Sequence, residues 1–206
     1  LPLYDGYIYY GGEKVNTWKE NYKAANRISI IQEKSSLAEN LNIADNIFVL
    51  RPGFRQWMIR TKILNRQMEP FLEDIGMDIP LNKDVEKLST FERIIVELLR
   101  AVIMGYHLIV LDEVGALVSD DELKKLHAII RHYVKKGFSF LYICSHLEEI
   151  SSICDRCALF TNGRIQKILE REELFNDPPV TYMTEYNDMV RYHTEKREGQ
   201  QAAPVV

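Results

Sequence analysis

Three points in the sequence set a chemically capable side chain directly after an apolar run. Gln32 follows Ile28-Ser29-Ile30-Ile31, the acidic pair Asp112-Glu113 follows Leu108-Ile109-Val110-Leu111, and Ser145-His146 follows the stretch Phe138 to Cys144. In an open parallel sheet, ligands bind at the carboxyl ends of the strands, so these residues are expected to converge on one site. An aliphatic strand ending in Asp-Glu suits metal-assisted phosphoryl transfer. Asp112 would hold Mg²⁺, usually through water, and Glu113 would polarise the water that attacks a terminal phosphate. Gln32 can ligate the metal or the attacking water, and His146 can hydrogen-bond the phosphate. Each residue also has an ordinary reading: a carboxylate capping the next loop, a surface histidine, a loop glutamine. Their order and spacing together carry more weight than any one of them.

The elements that must position them follow from periodicity. Tyr7 to Tyr10, the Gly11-Gly12 pair and a polar-apolar stretch ending near Val15 read as a hairpin. Ile28 to Ile31 is a short strand, and Glu33 to Asn42 is polar and turn-prone. From Trp57 to Ile75 apolar residues recur at helical spacing with Pro70 inside the pattern, which predicts a kinked or split helix ended by Gly76. Thr90 to Met104 is helical again, with Ser89 and Glu92 at capping-box spacing. Leu108 to Leu111 is an uninterrupted aliphatic run, the mark of a strand buried on both faces. A helix with a second capping box, Ser119 and Glu122, ends at Gly137. A strand over Phe138 to Cys144, a helix over Leu147 to Ile153, and strands Cys157 to Thr161 and Arg164 to Leu169 around Asn162-Gly163 complete the regular part. Alternating strands and helices predict an α/β domain with a mainly parallel sheet. Glu170 to His193 is expected to be helical with a break at Pro178-Pro179, and Thr194 to Val206 to be a disordered tail.

Composition bounds the rest. The chain has 206 residues, 46% hydrophobic and 27% charged, with a formal net charge of -4. That excludes a wholly disordered, collagen-like or disulfide-framework protein and gives no electrostatic ground for nucleic-acid binding. No apolar stretch reaches the ~20 residues of a transmembrane helix. No signal-like segment opens the sequence, and three cysteines cannot all pair, so a reducing cytoplasm is expected. Cys154 and Cys157 form a C-x-x-C without a second pair, at what reads as a helix-to-strand corner rather than a redox or zinc centre. There is no G-x-S-x-G, and Ser145 and His146 are adjacent rather than placed for a triad, which disfavours an unrelated hydrolase.

From about Gly6 to about Leu169 the chain resembles the nucleotide-binding domain of ATP-binding cassette (ABC) transporters, of the bacterial sugar-importer kind. The residues that carry the resemblance are Gly6-Tyr7-Ile8 with Gly11-Gly12; the Q-loop-like Ser29-Ile30-Ile31-Gln32-Glu33; Leu41-Asn42-Ile43-Ala44-Asp45-Asn46-Ile47-Phe48; and Leu88-Ser89 with Val96-Glu97 and Arg100-Ala101 in a signature-like segment. The Walker B-like Leu108 to Glu113, the switch-like Ser145-His146, and Ile153 to Arg156 with Asn162-Gly163-Arg164 follow in the family's order. The resemblance implies a P-loop NTPase-like cassette over 1–169, with a helical signature subdomain at about 52–104 and a helical extension at 170–193. It implies ATP and Mg²⁺ as cofactors, with Glu113, His146 and Gln32 catalytic and Asp112 and Gln32 at the metal. Ser89 would face a nucleotide held by a second cassette in a homodimer or heterodimer. Membrane permease subunits would be the other partners, met at the cytoplasmic face of the membrane by a chain that does not itself span it, with apolar residues around Phe48 to Trp57 as a candidate docking surface.

The sequence also departs from the family. No G-x-x-x-x-G-K-(S/T) string occurs among the 206 residues, so the cassette reads as truncated at its N-terminus, by loss in evolution or by absence from this chain. Without that loop ATP binding is expected to be weak or nil, and without its flanking strand and helix part of the sheet is expected to be uncovered. The signature is Leu88-Ser89-Thr90-Phe91-Glu92, with Phe91 where the family's glycine lets backbone approach a phosphate. After Glu113 the chain has Val114-Gly115 in place of Pro-Thr or Pro-Ser. Two functions follow: the ATP-binding subunit of a carbohydrate importer, or a degenerate cassette that binds partners without hydrolysing ATP.

Overall fold

The computed structural model describes residues 6–14, 16, 28–48 and 61–176. Tyr9–Tyr10 (β1) and Glu13–Lys14 (β2) pair antiparallel across Gly11-Gly12, whose φ of 57° and 82° only glycine adopts freely. The three buried runs predicted from sequence become β3 (Ile28–Gln32), β4 (Leu108–Asp112) and β5 (Ser139–Ile143), a parallel sheet in the order β3-β4-β5. Between β3 and β4 lie α1 (Ile43–Phe48), α2 (Thr61–Asp74) and α3 (Thr90–Ile103); α4 (Asp120–Lys135) joins β4 to β5. These elements belong to the first of two compact units, Leu1–Cys144 and Ser145–Val206.

One face of the sheet is the core. Ile31, Ile109 and Leu111 are fully buried there, with Ile95, Leu98 and Leu99 of α3 and Leu126, Ile130 and Tyr133 of α4 among the buried helix residues. The register Ile30–Val110–Leu141 defines the other face, where Ile30 is 56% and Leu141 52% exposed. The expectation that β4 is buried on both faces is therefore corrected: Leu108 and Val110 are only half-buried. A run of aliphatic residues reports a strand that can be covered on both sides, and among the described residues a covering layer lies on one.

The helix predicted over Trp57 to Ile75 runs without a break across Thr61–Asp74, although Pro70 lies inside it; residues 49–60 lie outside the described part. Burial of Met68 and Leu72 on either side of the proline holds the helix through the missing backbone bond. It ends in a Schellman-like cap, with Gly76 at φ 65° and the Met77 N–H donating to Leu72 O at 3.0 Å. Phe48, at the start of the predicted docking surface, is buried in the core.

Asp74, at the end of α2, accepts hydrogen bonds from Lys136 and, at 2.8 Å, from His132, both near the end of α4. The Lys136 bond, aided by His132 against a desolvation cost, holds the Asp74 carboxyl below its ordinary value of 3.8. Because folding depresses this pKa, the stabilisation is present above pH 3.8 and disappears as pH falls through the lower folded value. Asp74→Asn is expected to remove this part of the acid limb, as measured by urea unfolding at stepped pH. At neutral pH it is expected to lower stability by under ~1 kcal/mol, since the cluster is partly solvated.

Tyr133, on the same helix, is 1% exposed and packs edge-on against Phe138, and its hydroxyl finds no hydrogen-bond partner among the described residues. Burial, with Asp74 adding to it, pushes its pKa up to about 12. Tyr133→Phe removes an unsatisfied polar atom at constant shape and is expected to raise stability by about 1 kcal/mol. A urea midpoint that falls instead would show that the hydroxyl is satisfied.

The second unit contains α5 (Leu147–Ile153), the antiparallel pair β6 (Arg156–Thr161) and β7 (Arg164–Glu170), and α6 (Arg171–Asn176). Asn162 and Gly163 make the predicted turn with φ of 48° and 75°. Cys157, Leu159, Leu169, Ile150 and Leu174 are buried, whereas Phe160 is 66% exposed. Burial pushes the Cys154 thiol up to about 11 and raises Cys157 as well, so neither supplies a thiolate at neutral pH, against a redox or ligand role for the C-x-x-C. The predicted break at Pro178-Pro179 and the tail lie outside the described residues. No helix among the described residues is long and apolar enough to cross a membrane.

Candidate functional site

Parallel pairing sets the site. Gln32, the last residue of β3, is the register partner of Asp112, the last residue of β4, so the amide and the carboxylate stand side by side on one face at the sheet's carboxyl edge. Gln32 is exposed and Asp112 half-buried.

Glu113 follows with φ 54° and ψ 26°, a left-handed conformation rare for a residue with a Cβ. Its N–H donates to Ile143 O at 2.9 Å, tying the turn to the end of β5, and a 3₁₀ turn over Val114–Leu117 carries the chain away, with Val114 fully buried. Gln32 and Asp112 thus stand side by side at the strand ends, and Glu113 is the next residue of the chain. His146 lies in the second unit, where it is the exposed residue preceding α5 and its carbonyl accepts from the Glu149 N–H at 3.2 Å.

Ser89 stands at the N-terminus of α3 in the predicted capping box: its Oγ accepts from the Glu92 N–H at 3.1 Å and its own N–H donates to Glu92 Oε2 at 2.8 Å. Lys83 Nζ lies 2.9 and 3.0 Å from the two Glu92 oxygens. Desolvation opposes ionisation of Glu92, but the bonds from Lys83 and Ser89 outweigh it and hold the carboxyl below its usual range. Phe91 does not project at this helix end. It is 6% exposed and borders a hollow shared with Ile75, Ile129 and His132, leaving Ser89 and Thr90 as the exposed residues there. Between the two regions lies a cleft of about 580 Å³ whose lining includes Gln32, Lys34, Glu39, Leu88, Arg93 and Leu117.

The sequence profile of the ABC transporter family matches residues 1–116. The chain belongs to the ABC transporter family. Among curated members, the ribose import ATP-binding protein RbsA of Clostridium perfringens (strain 13 / Type A) is 30% identical over 183 residues, 87% of this chain and 36% of that protein. RbsA of Caldanaerobacter subterraneus subsp. tengcongensis is 31% identical over 182 residues, again 87% and 36%. The chain therefore spans about a third of the length of the curated relatives it matches. Among solved structures, cbiO1 from Clostridium perfringens, part of the ABC transporter complex cbiONQ, superposes with a TM-score of 0.71 at 14% identity, covering 84% of this chain and 69% of that one. The ADP conformation of MJ1267, an ATP-binding cassette of an ABC transporter, gives 0.71 at 18% identity, covering 89% and 78%. The fold is that of an ABC cassette.

Two polar residues of this ABC chain that sequence reasoning gave no role are among its most buried. Asn46 is 2% exposed; its side chain accepts from the Ala38 N–H at 2.7 Å and donates to the carbonyls of Ala38 and Asn42, both at 3.0 Å. Glu97, also 2% exposed, takes three hydrogen bonds from Ser35 and Ser36. The signal for Glu97 was present in the sequence as a lone carboxylate inside Ile94-Ile95-Val96-Glu97-Leu98-Leu99, a helix apolar on nearly every side.

Proposed function

We propose that the chain is the ATP-binding part of an ABC-type carbohydrate importer, coupling ATP binding and hydrolysis to transport. The observation that carries this reading is the in-register Gln32–Asp112 pair, with Glu113 next in the chain, at the strand ends of a cassette similar to ribose import ATP-binding proteins. In this reading 1–169 is the cassette, about 52–104 its helical subdomain and 170–193 an extension.

The donor set fits Mg²⁺. That ion takes one or two protein oxygens and keeps the rest of its shell for water and phosphate, so a carboxylate and an amide oxygen suffice, and no three-residue cluster of acidic, His or Cys ligands is present among the described residues. Asp112 and Gln32 would hold the metal, which when bound would neutralise charge on a transferring phosphate. Glu113 accepts a proton from, or polarises, the attacking water, and its left-handed backbone turns its side chain out of the strand's alternation. A phosphate-bonding role for His146 rests on the family resemblance of Ser145-His146 alone. The 206 residues contain no G-x-x-x-x-G-K-(S/T) string. A second cassette would meet the chain head-to-tail at Ser89. The cleft beside Gln32 would receive a helix of a permease subunit at the cytoplasmic face of the membrane.

A degenerate cassette that binds partners without hydrolysis is the second reading. The capping box favours it, because the α3 N-terminus already holds the Glu92 carboxylate where a phosphate from a second cassette would arrive. Calorimetric titration with MgATP separates the two, with EDTA and Asp112→Asn as controls. Metal-dependent binding that Asp112→Asn removes is the result expected for the transport ATPase; absence of binding moves the degenerate cassette to the front.

A further inference from the structure

We propose that Glu97 is a positioning residue that ties the segment carrying Gln32 to helix α3, so that the two move as one body. The proposal deepens the reading above, on which its consequence for Gln32 rests; the contact itself does not depend on it. Glu97 Oε1 accepts from the Ser36 N–H at 2.5 Å, the Ser36 Oγ at 2.7 Å and the Ser35 Oγ at 3.1 Å. Arg100, one turn further along α3, lies 3.8 Å from the same oxygen and also donates to the Ser36 hydroxyl. The Ser35 hydroxyl in turn accepts from the Leu37 N–H at 3.2 Å.

A carboxylate in the middle of a buried helix is stable only when paired and hydrogen-bonded, and all three of these hydrogen bonds come from two consecutive residues just past the end of β3. Asn46 of α1 fixes Ala38, the next point along, in both directions. Gln32 is therefore held on one side by strand pairing with Asp112 and, after the exposed Glu33 and Lys34, by the Glu97 clamp on the other. Glu97 is eight residues along α3 from Ser89, a rise of ~12 Å on a straight helix. A shift of α3 at its exposed N-terminus therefore reaches the Gln32 segment through Glu97 rather than being absorbed by a loose loop.

The test is residue-resolved amide hydrogen exchange on the full 206-residue chain. Glu97→Gln is expected to speed exchange at Ser36 and Leu37 by at least ~10-fold beyond any change shared with the β4 amides, as local opening requires. Ser35→Ala and Ser36→Ala, made singly, are expected to raise exchange at the amide of residue 36 likewise, and each to add little to Glu97→Gln, since all of them weaken one contact. A uniform rise in exchange, or protection that stays as in the parent, overturns the proposal; if Glu97→Gln fails to fold, the serine variants decide it alone. MgATP titration of Glu97→Gln, Gln32→Ala and the double variant then reads the consequence, with the two effects expected not to add. A parent chain that binds no MgATP would overturn the proposed function, while the exchange result still decides the clamp.

Discussion

If the chain hydrolyses MgATP as proposed, replacing Glu113 by Gln is expected to lower that hydrolysis by about 10²–10⁴-fold while leaving MgATP affinity unchanged. Gln keeps the size and one acceptor oxygen of the carboxylate but cannot take up a proton from water. The substitution keeps the bond that anchors this turn, which is made by the Glu113 backbone N–H to Ile143 O. Glu113→Gly supplies the matching stability measurement. A left-handed residue with a Cβ costs ~1–2 kcal/mol, and glycine relieves that at an entropic cost of ~0.5–1 kcal/mol. On the backbone terms alone Glu113→Gly is therefore expected to be at least as stable as the parent in urea, and as inactive as the Gln variant. That combination marks backbone strain kept for chemistry. Hydrolysis that survives in the Gln variant would remove the role assigned to Glu113, and a Gly variant weaker by more than ~1 kcal/mol would make its side chain structural.

What the sequence disclosed and what it did not follows from the range of each interaction. The capping box of Ser89 and Glu92 and the Asn162-Gly163 turn are local, and each is present where the spacing put it. The strand ends were legible because an aliphatic run stopped by Asp112 has few other uses. That Gln32 stands beside Asp112 was not, since the register between two strands far apart in sequence is set by packing. The left-handed turn at Glu113 had no signal, glutamate being no favoured residue there. The half-open face of β4 lay outside what periodicity can report, because Val110 is as apolar as Leu111 whichever of them is covered. Phe91 is the opposite case. Set against the family pattern it obstructs a phosphate path, yet with Ile94, Ile95 and Leu98 it completes an i, i+3, i+4, i+7 stripe, and the structure buries all four.

Glu97→Ala is expected to destabilise the fold by about 3–5 kcal/mol, far more than any surface ion pair here. The Glu97 side chain is 3% exposed and that of Arg100 13%. Truncation leaves the mostly buried Arg100 side chain without its carboxylate, removes the acceptor of the Ser36 N–H and of two hydroxyls, and empties the volume that the Glu97 side chain fills. The first two terms come from lost partners, so the same truncation is expected to be milder when Ser35→Ala and Ser36→Ala are already present, and milder again with Arg100→Met. Urea unfolding of this cycle measures the coupling directly, provided the m-value stays that of the parent. A loss below ~1 kcal/mol in the single variant would mean that water or a rearranged loop satisfies the donors. In that event the segment after Gln32 would be free to move without α3. A loss in the expected range would account for how a carboxylate is retained in a helix most of whose residues are buried: its removal undoes a large part of the ~5–15 kcal/mol by which a domain of this size is stable.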